Sequence, residues 1–429
     1  VTFKKTTLDN GLRIITASLK ESQSVAVSIM AGVGSRYETD KNAGVSHFLE
    51  HLLFKGTKKR PTTQIIAELV DGVGGMHNAY TSNDMTCYYI KLPRQHAKLA
   101  IDILADMIRH PLLDPVEVDR ERGVVIEEMH VYRDDPARYI NDLLPQLIWP
   151  KDPLGREIIG TEDVINAIPR DDIADFQARY YSPSNLVVAV SGDIDHDTVV
   201  KQITELMGDM KRFEVPAITK LKTELAPELT YELEQETNQA HLLIGCQAYP
   251  YDHLNDAAAR VLTTILGGGM SSRLFINVRE RQGLAYHVYA DYNNYVDTGL
   301  FSIYGGINLD KTEQAIESIL AELERLRIEP VSEAELTKVK NKMSGSLQMA
   351  LENTFAIADR MGTRLLLLDQ IKTPEETIAE IDAITAEDVM RVAKDLLVPE
   401  RLRMAVIAPD TKAITKRFTE LIRSNNGRK

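Results

Sequence analysis

The hydrophobic pattern of the chain switches between a period of two and a period near 3.6. The opening stretch VTFKKTTLDNGLRIITAS (1–18) reads as strand, Asn10-Gly11 turn, strand. Asn and Gly accept the positive φ values of a two-residue hairpin turn. HNAYTSNDMTCYYIKL (77–92) alternates and predicts a second strand pair. QHAKLAIDILADMIRH (95–110) follows, with apolar positions at helical spacing. DPVEVDRERGVVIEEMHVYRDD (114–135) opens on Asp114-Pro115, a helix start. Strands interleaved with helices in this way predict an α+β fold. An antiparallel or mixed sheet would carry its helices mainly on one face.

The same pattern recurs half a chain later. SPSNLVVAVSGDID (182–195) matches VPERLRMAVIAPDT (398–411), each preceded by a helical stretch. NAGVSHFLEHLLF (42–54) lies on NDAAARVLTTILG (255–267), each preceded by a β-like stretch, SVAVSIMAGVGS or QAHLLIGCQAYP. Matches in constant order at nearly constant offset predict an internal duplication into two similar α+β domains. The expected domains are 1–213 and 229–429, joined by a linker over 214–228. That stretch contains prolines and shows no amphipathic period.

One helix breaks its own pattern. SHFLEHLLF carries His47, Glu50 and His51 among apolar residues. At 3.6 residues per turn, Glu50 falls about 60° to one side of His47 and His51 about 40° to the other. Val45, Phe48, Leu49 and Leu52 fill the opposite arc. Burying three ionisable groups without partners would cost several kcal/mol each, so the narrow arc calls for a common partner. Two histidines at i and i+4 present their rings from successive turns, as two ligands of a tetrahedral zinc ion do. Glu50 sits where it reaches a water beside the metal rather than the metal itself. The order is the inverted H-x-x-E-H motif. The second copy has Arg260, Thr263 and Thr264 at these positions, so only the first half can bind this metal.

A catalytic zinc takes three protein ligands, which leaves one to be found. In the 114–135 helix, Glu121 and Glu128 are seven apart and lie about 20° from in line, whereas Glu127 lies roughly 120° from Glu121. Glu128 can therefore complete a His47–His51–Glu128 set, with Glu121 behind it orienting an imidazole. On spacing alone, a solvated acidic face with Arg120 and Arg122 is the preferred reading.

Composition narrows the class. Of 429 residues, 44% are hydrophobic and 26% charged, as in an ordinary globular protein of two or more domains. A net charge of −13 argues against a nucleic-acid surface. Cys87 and Cys246 are too few for a disulfide framework or a cysteine zinc site. No apolar run is long enough to span a membrane, and the first residues do not form a signal peptide. A bacterial cytoplasmic location is the expectation, with the mitochondrial matrix and the periplasm as alternatives.

HFLEHLLFKGTKKRP, NAYTSNDMTCYY, ERGVVIEEM and SSRLFINVRERQGLAYHVYA, in this order, resemble the pitrilysin/insulinase group of zinc peptidases, in its half-length, processing-peptidase-like branch. The resemblance covers nearly the whole chain and implies one zinc per chain on His47, His51 and Glu128. It implies Glu50 as catalytic base and Glu121 as supporting carboxylate. Asn78 and Ala79, in HNAYT, would bind substrate backbone. Arg279 would anchor the substrate and Tyr286 would donate to the oxyanion. Pattern alone reads these two as a surface Arg and a core Tyr.

The resemblance also implies a homodimer enclosing a chamber for peptide substrates, with no nucleic acid and no membrane as partner. The larger family members carry the metal in the first of four domains and the Arg/Tyr pair in the fourth. A two-domain chain would need a second copy to reproduce that arrangement. The expected activity is endopeptidase cleavage of unfolded peptides or presequences. The alternative is a non-catalytic, peptide-binding or structural subunit. His77 reads as a histidine outside the metal set, 267–272 as a turn or flexible loop, and Lys58, Lys59 and Arg60 as a solvated loop.

Overall fold

A computed structural model describes residues 2–222 and 224–425. The chain forms two compact units, each built on one mixed sheet. The first unit contains the chain up to Met129, with Arg156–Lys220 and Gln348–Lys372. The second contains His130–Gly155, Leu221–Leu347 and the chain from Thr373 onward.

In the first unit, β1 (Thr2–Thr7) and β2 (Arg13–Ser18) form the expected antiparallel hairpin. They are joined by β3 (Ser24–Ala31), β4 (Met76–Thr81), β5 (Thr86–Pro93) and β6 (Leu186–Gly192) in the order β1-β2-β6-β3-β5-β4. Only β2 and β6 run parallel. β3 and β6 are buried on both faces, which suits their β-branched sequences SVAVSIMA and LVVAVSG. On the front face lie the Val45–Leu53 helix and the Ala97–Arg109 helix. Val45, Phe48, Leu49, Leu52 and Leu53 of the first are all at most 1% exposed. At about 1.5–3 kcal/mol for each large apolar side chain buried, this arc fixes the helix's rotation. Its polar arc, with His47, Glu50 and His51, is thereby aimed away from the core. The back face is covered by the Thr354–Leu368 helix.

In the second unit, β7 (Thr230–Glu234), β8 (Ala240–Ala248), β9 (Ala285–Asn294), β10 (Gly299–Ile307) and β11 (Arg403–Ala408) follow the order β7-β11-β8-β10-β9. β7 and β11 run parallel. This is the first sheet's order without β1, so β2, β6, β3, β5 and β4 correspond to β7, β11, β8, β10 and β9. The duplication read from the sequence is therefore present in the topology. The Asp256–Gly267, Thr312–Ile328 and Ala386–Leu396 helices share one face, and the Pro136–Ile148 helix covers the other.

The contiguous domains 1–213 and 229–429 describe the two sheets but not two of the helices. The Pro136–Ile148 helix, from the first half of the sequence, packs Ile140, Leu143 and Leu144 with Leu243, Ala405 and Ile407 of the second unit. The Thr354–Leu368 helix, from the second half, packs Ile357, Ala358 and Leu365 with Ala26, Met30 and Ala189 of the first. The duplicated halves thus trade equivalent helices. Each helix's apolar face matches the back of a sheet, and sequence adjacency does not select which one. The described residues of 214–228 form no helix or strand. Residues 267–272 include an irregular turn after the Asp256–Gly267 helix, as expected.

The Lys58–Arg60 segment departs from a solvated loop. Arg60 is buried, with its guanidinium 2.6 Å from Asp106 and 2.5 Å from Asp102. Lys59 stays exposed and pairs with Asp102 at 2.7 Å. A buried guanidinium needs such carboxylates, and both lie on the Ala97–Arg109 helix. Among the described residues, no helix is long and apolar enough to cross a membrane.

Candidate metal centre

Glu38 and Gly44 set the start of the Val45–Leu53 helix. The buried Glu38 accepts the Gly44 N–H at 2.7 Å and the Ser46 N–H at 2.8 Å, one on each oxygen. Side-chain acceptors at a helix start contribute about 0.5–2 kcal/mol. Burial pushes the Glu38 carboxyl up to about 7, against those two amide hydrogen bonds. Gly44 has φ 94°, and a Cβ there would stand 2.6 Å from the Ile159 carbonyl oxygen. Glycine is therefore required, and the helix begins at a fixed point.

The Pro115–Arg133 helix supplies the carboxylates. His47, His51 and Glu128 each offer one ligand atom, and all three atoms lie within 4.8 Å of one another. His51 Nε2 is 3.3 Å from Glu128 Oε2, and His47 Nε2 is 3.8 Å from the same oxygen. Donors around a tetrahedral zinc stand about 3.3 Å apart, given zinc–nitrogen distances of ~2.0–2.1 Å. The two-nitrogen, one-oxygen set therefore fits zinc in chemistry, and donors that now lie within 4.8 Å of one another would draw closer around the ion. No other such group occurs among the described residues. Glu127 is exposed and outside the group, in keeping with the helical phase.

Electrostatics prepares the histidines differently. Burial, helped by the neighbouring His51, pushes His47 down to about 4 against the pull of Glu128. Burial alone would lower His51, but hydrogen bonds to Glu121 and Glu128 outweigh it and lift that ring to about 9. Burial would raise Glu121, yet His51 and Lys55 together hold its carboxyl low. The His51 hydrogen bond holds Glu128 low. His51 Nδ1 is anchored on Glu121 Oε1 at 2.9 Å. His47 Nδ1 is buried and has no hydrogen-bond partner among the described residues.

Glu50 lies beside this set but outside it. It is 9% exposed, and its Oε2 accepts the Thr81 hydroxyl at 2.5 Å. Burial pushes its carboxyl up, and the Thr81 hydrogen bond opposes this. Thr81 is the last residue of β4, the edge strand that also carries Asn78 and Ala79. Asn78 is exposed and Ala79 half-buried. His77, also on β4, stacks near Phe54 with ring centroids 5.5 Å apart and takes no part in the metal set.

Three contributors escaped the sequence reading. Lys55 Nζ meets Glu121 Oε2 at 2.5 Å, so both oxygens of that buried carboxylate are held. Its place four residues after His51 was a legible signal for a partner on the same face. Thr81 could have been found by alternation, which puts 77, 79 and 81 on one side of β4. Glu38 offered no signal, because its role depends on a loop folding back to the helix start.

Arg279 and Tyr286 lie in the second unit. Arg279 belongs to the Phe275–Arg281 segment, a wide π-type turn of helix, and Tyr286 to β9. The guanidinium carbon stands 5.3 Å from the Tyr286 ring centroid and 4.6 Å from that of Phe275. Tyr286 is 63% exposed, so the core-tyrosine reading is incorrect. At Arg260, Thr263 and Thr264 both threonine hydroxyls bond back into their own helix, which leaves no ligand face there.

Comparison with known proteins gives a consistent picture. Residues 13–162 match the model of the insulinase family, peptidase family M16, and residues 167–343 that of the peptidase M16 inactive domain. An uncharacterised zinc protease of Bacillus subtilis is 38% identical over 410 residues, covering 95% of this chain and 98% of the relative. One of Streptomyces coelicolor is 36% identical, covering 95% and 90% respectively. The crystal structure of a protease from Helicobacter pylori superposes with a TM-score of 0.89 at 24% identity, covering 95% of this chain and 99% of that one. A peptidase M16 inactive domain from Pseudomonas fluorescens gives a TM-score of 0.87 at 18% identity, covering 96% and 98%.

Proposed function

The chain belongs to the insulinase family of peptidases, family M16, and from that premise we propose that it is a zinc-dependent endopeptidase acting on unfolded peptides or presequences. The observation that carries this reading is the convergence of His47, His51 and Glu128, with Glu50 beside them and outside the ligand set. His47, His51 and Glu128 would hold one zinc per chain. A zinc so held lowers the pKa of water to about 7 and polarises a peptide carbonyl. Glu50 takes the proton of the attacking water and delivers it to the leaving nitrogen. Thr81 holds one Glu50 oxygen and leaves the other free. Glu121, gripped by Lys55, keeps the His51 ring in one orientation. The peptide would add to β4, whose outer edge pairs with no strand among the described residues, along Asn78 and Ala79. A cytoplasmic location accords with two buried, unpaired cysteines.

Metal removal tests the reading directly. The purified chain is expected to contain about one zinc and to cleave an unfolded peptide. Chelation should abolish cleavage, and stoichiometric zinc should restore it. A folded chain that takes up no zinc and cleaves nothing would favour the non-catalytic, peptide-binding alternative.

We further propose a homodimer with a shared site, in which the first unit's cluster meets Arg279 and Tyr286 of the partner subunit. Two features support this: Tyr286 is exposed, and its hydroxyl makes no hydrogen bond among the described residues. An exposed phenol can donate to a developing oxyanion. Two inactive proteins, Glu50→Gln and the double variant Arg279→Ala/Tyr286→Phe, should regain activity when mixed and allowed to exchange subunits. One site in each mixed dimer is then intact. No recovery after demonstrated exchange would show that each chain completes its own site.

A further inference from the structure

β4 is a six-residue edge strand with a single ladder partner, β5. It nevertheless carries Thr81, which holds Glu50, and the edge assigned above to the peptide. Its position therefore needs a second constraint, and the back face supplies one.

The Thr354–Leu368 helix buries Thr354, Ile357, Ala358, Met361 and Leu365 against the sheet's middle strands. It approaches closely: a Cβ on Gly362 would stand 2.5 Å from Met30 Sδ. A second stripe, at i, i+4 and i+8, faces the β4–β5 pair. Phe355 stacks on Tyr89 with centroids 3.9 Å apart. Asp359 accepts the Tyr80 hydroxyl. Thr363 donates to Met85 Sδ at 3.6 Å. Asn353 caps the helix through the Phe355 N–H, and Thr354 meets Ser24 at 3.1 Å. The helix is thus fixed on the sheet independently of Asp359.

Within this stripe, Asp359 accepts the Tyr80 hydroxyl of β4, and Thr363 also hydrogen-bonds that side chain. Tyr80 and Thr81 are adjacent and point to opposite faces, so the strand is pinned on the back by Asp359 and on the front by Glu50. Burial pushes the Asp359 carboxyl up, and the Tyr80 hydroxyl opposes this as its hydrogen-bond donor.

We propose that Asp359 is a positioning residue for the peptide-binding strand. By accepting the Tyr80 hydroxyl it holds β4 in place, so that the free edge and Thr81 meet an incoming peptide together. This rests on the peptidase reading above.

The test uses the full zinc-loaded chain in a Glu50→Gln background, with a fluorescein-labelled peptide that the unmutated enzyme cleaves. Binding is read by anisotropy and melting temperature is recorded alongside. Tyr80→Phe and Asp359→Leu should each weaken peptide binding about tenfold at full zinc content, because strand addition needs a fixed edge. Asp359→Asn, which keeps an acceptor, should stay within about twofold of the parent. If Asp359→Leu does not fold, Tyr80→Phe decides. Unchanged affinity in Tyr80→Phe overturns the proposal, as does an Asp359→Asn loss equal to that of Asp359→Leu. A parent Glu50→Gln chain that binds no peptide removes the peptidase reading and this inference with it. Binding that Tyr80→Phe leaves untouched removes this inference alone.

Discussion

On the proposed reading, Glu50→Gln is expected to retain zinc and to lose peptide cleavage by about 10³-fold or more. Positioned proton transfer contributes about 10²–10⁴-fold, and in the proposed mechanism one carboxylate would serve both the water and the leaving nitrogen. The substitution is clean because Gln has the shape of Glu, and its carbonyl oxygen can still accept the Thr81 hydroxyl that Glu50 accepts at 2.5 Å. The proposed ligand set does not include Glu50, so His47, His51 and Glu128 should stay in place. Metal analysis and chromatography of a peptide digest, run on the same preparation, check both halves of the statement. Cleavage within tenfold of the parent at full zinc content would remove Glu50 from the base role.

Glu128→Gln is expected to weaken zinc binding by more than about 100-fold, whereas Glu127→Gln should leave it unchanged. Outer partners of metal ligands already cost 10–100-fold when mutated, and a ligand that also brings the charge should cost more. Glu128 Oε2 is the oxygen both imidazoles face, at 3.3 and 3.8 Å, so its loss takes away the point where the cluster converges. The carboxylate is also held ionised by His51, and Gln removes that charge from the set. Zinc competition against a chromophoric chelator reads the two variants side by side. Equal affinities for both would mean that the helix presents the wrong glutamate.

The two predictions divide the cluster by role. One variant keeps the metal and loses the chemistry, and the other loses the metal itself. Glu121 and Lys55 lie on the second path, since their hydrogen bonds act through the orientation of His51.

What the sequence determined by itself was whatever depends on a local period. An i, i+4 pair of histidines shares a face in any straight helix, and Glu121 and Glu128 share theirs for the same reason. The apolar arc of Val45, Phe48, Leu49 and Leu52 decided which way that face turns, because burying those side chains outweighs any alternative rotation. The duplication was also legible, since strand and helix periods repeat in order and the two sheets share one strand order.

The tertiary structure alone decided the pairings between distant elements. Tyr80 and Asp359 are 279 residues apart, and no period links them. They meet because the Thr354–Leu368 helix packs on the first unit's sheet while its counterpart, Pro136–Ile148, packs on the second. An apolar helix face fits the back of either sheet, so periodicity could not choose between them. Arg60 looked solvated because Lys58 and Lys59 precede it, and it is buried because the Ala97–Arg109 helix brings Asp102 and Asp106 to it. Tyr286 looked like core because tyrosine in a strand usually is, and it is exposed on β9. In each case the side chain's direction was a local property, whereas its partner was fixed by which elements packed together.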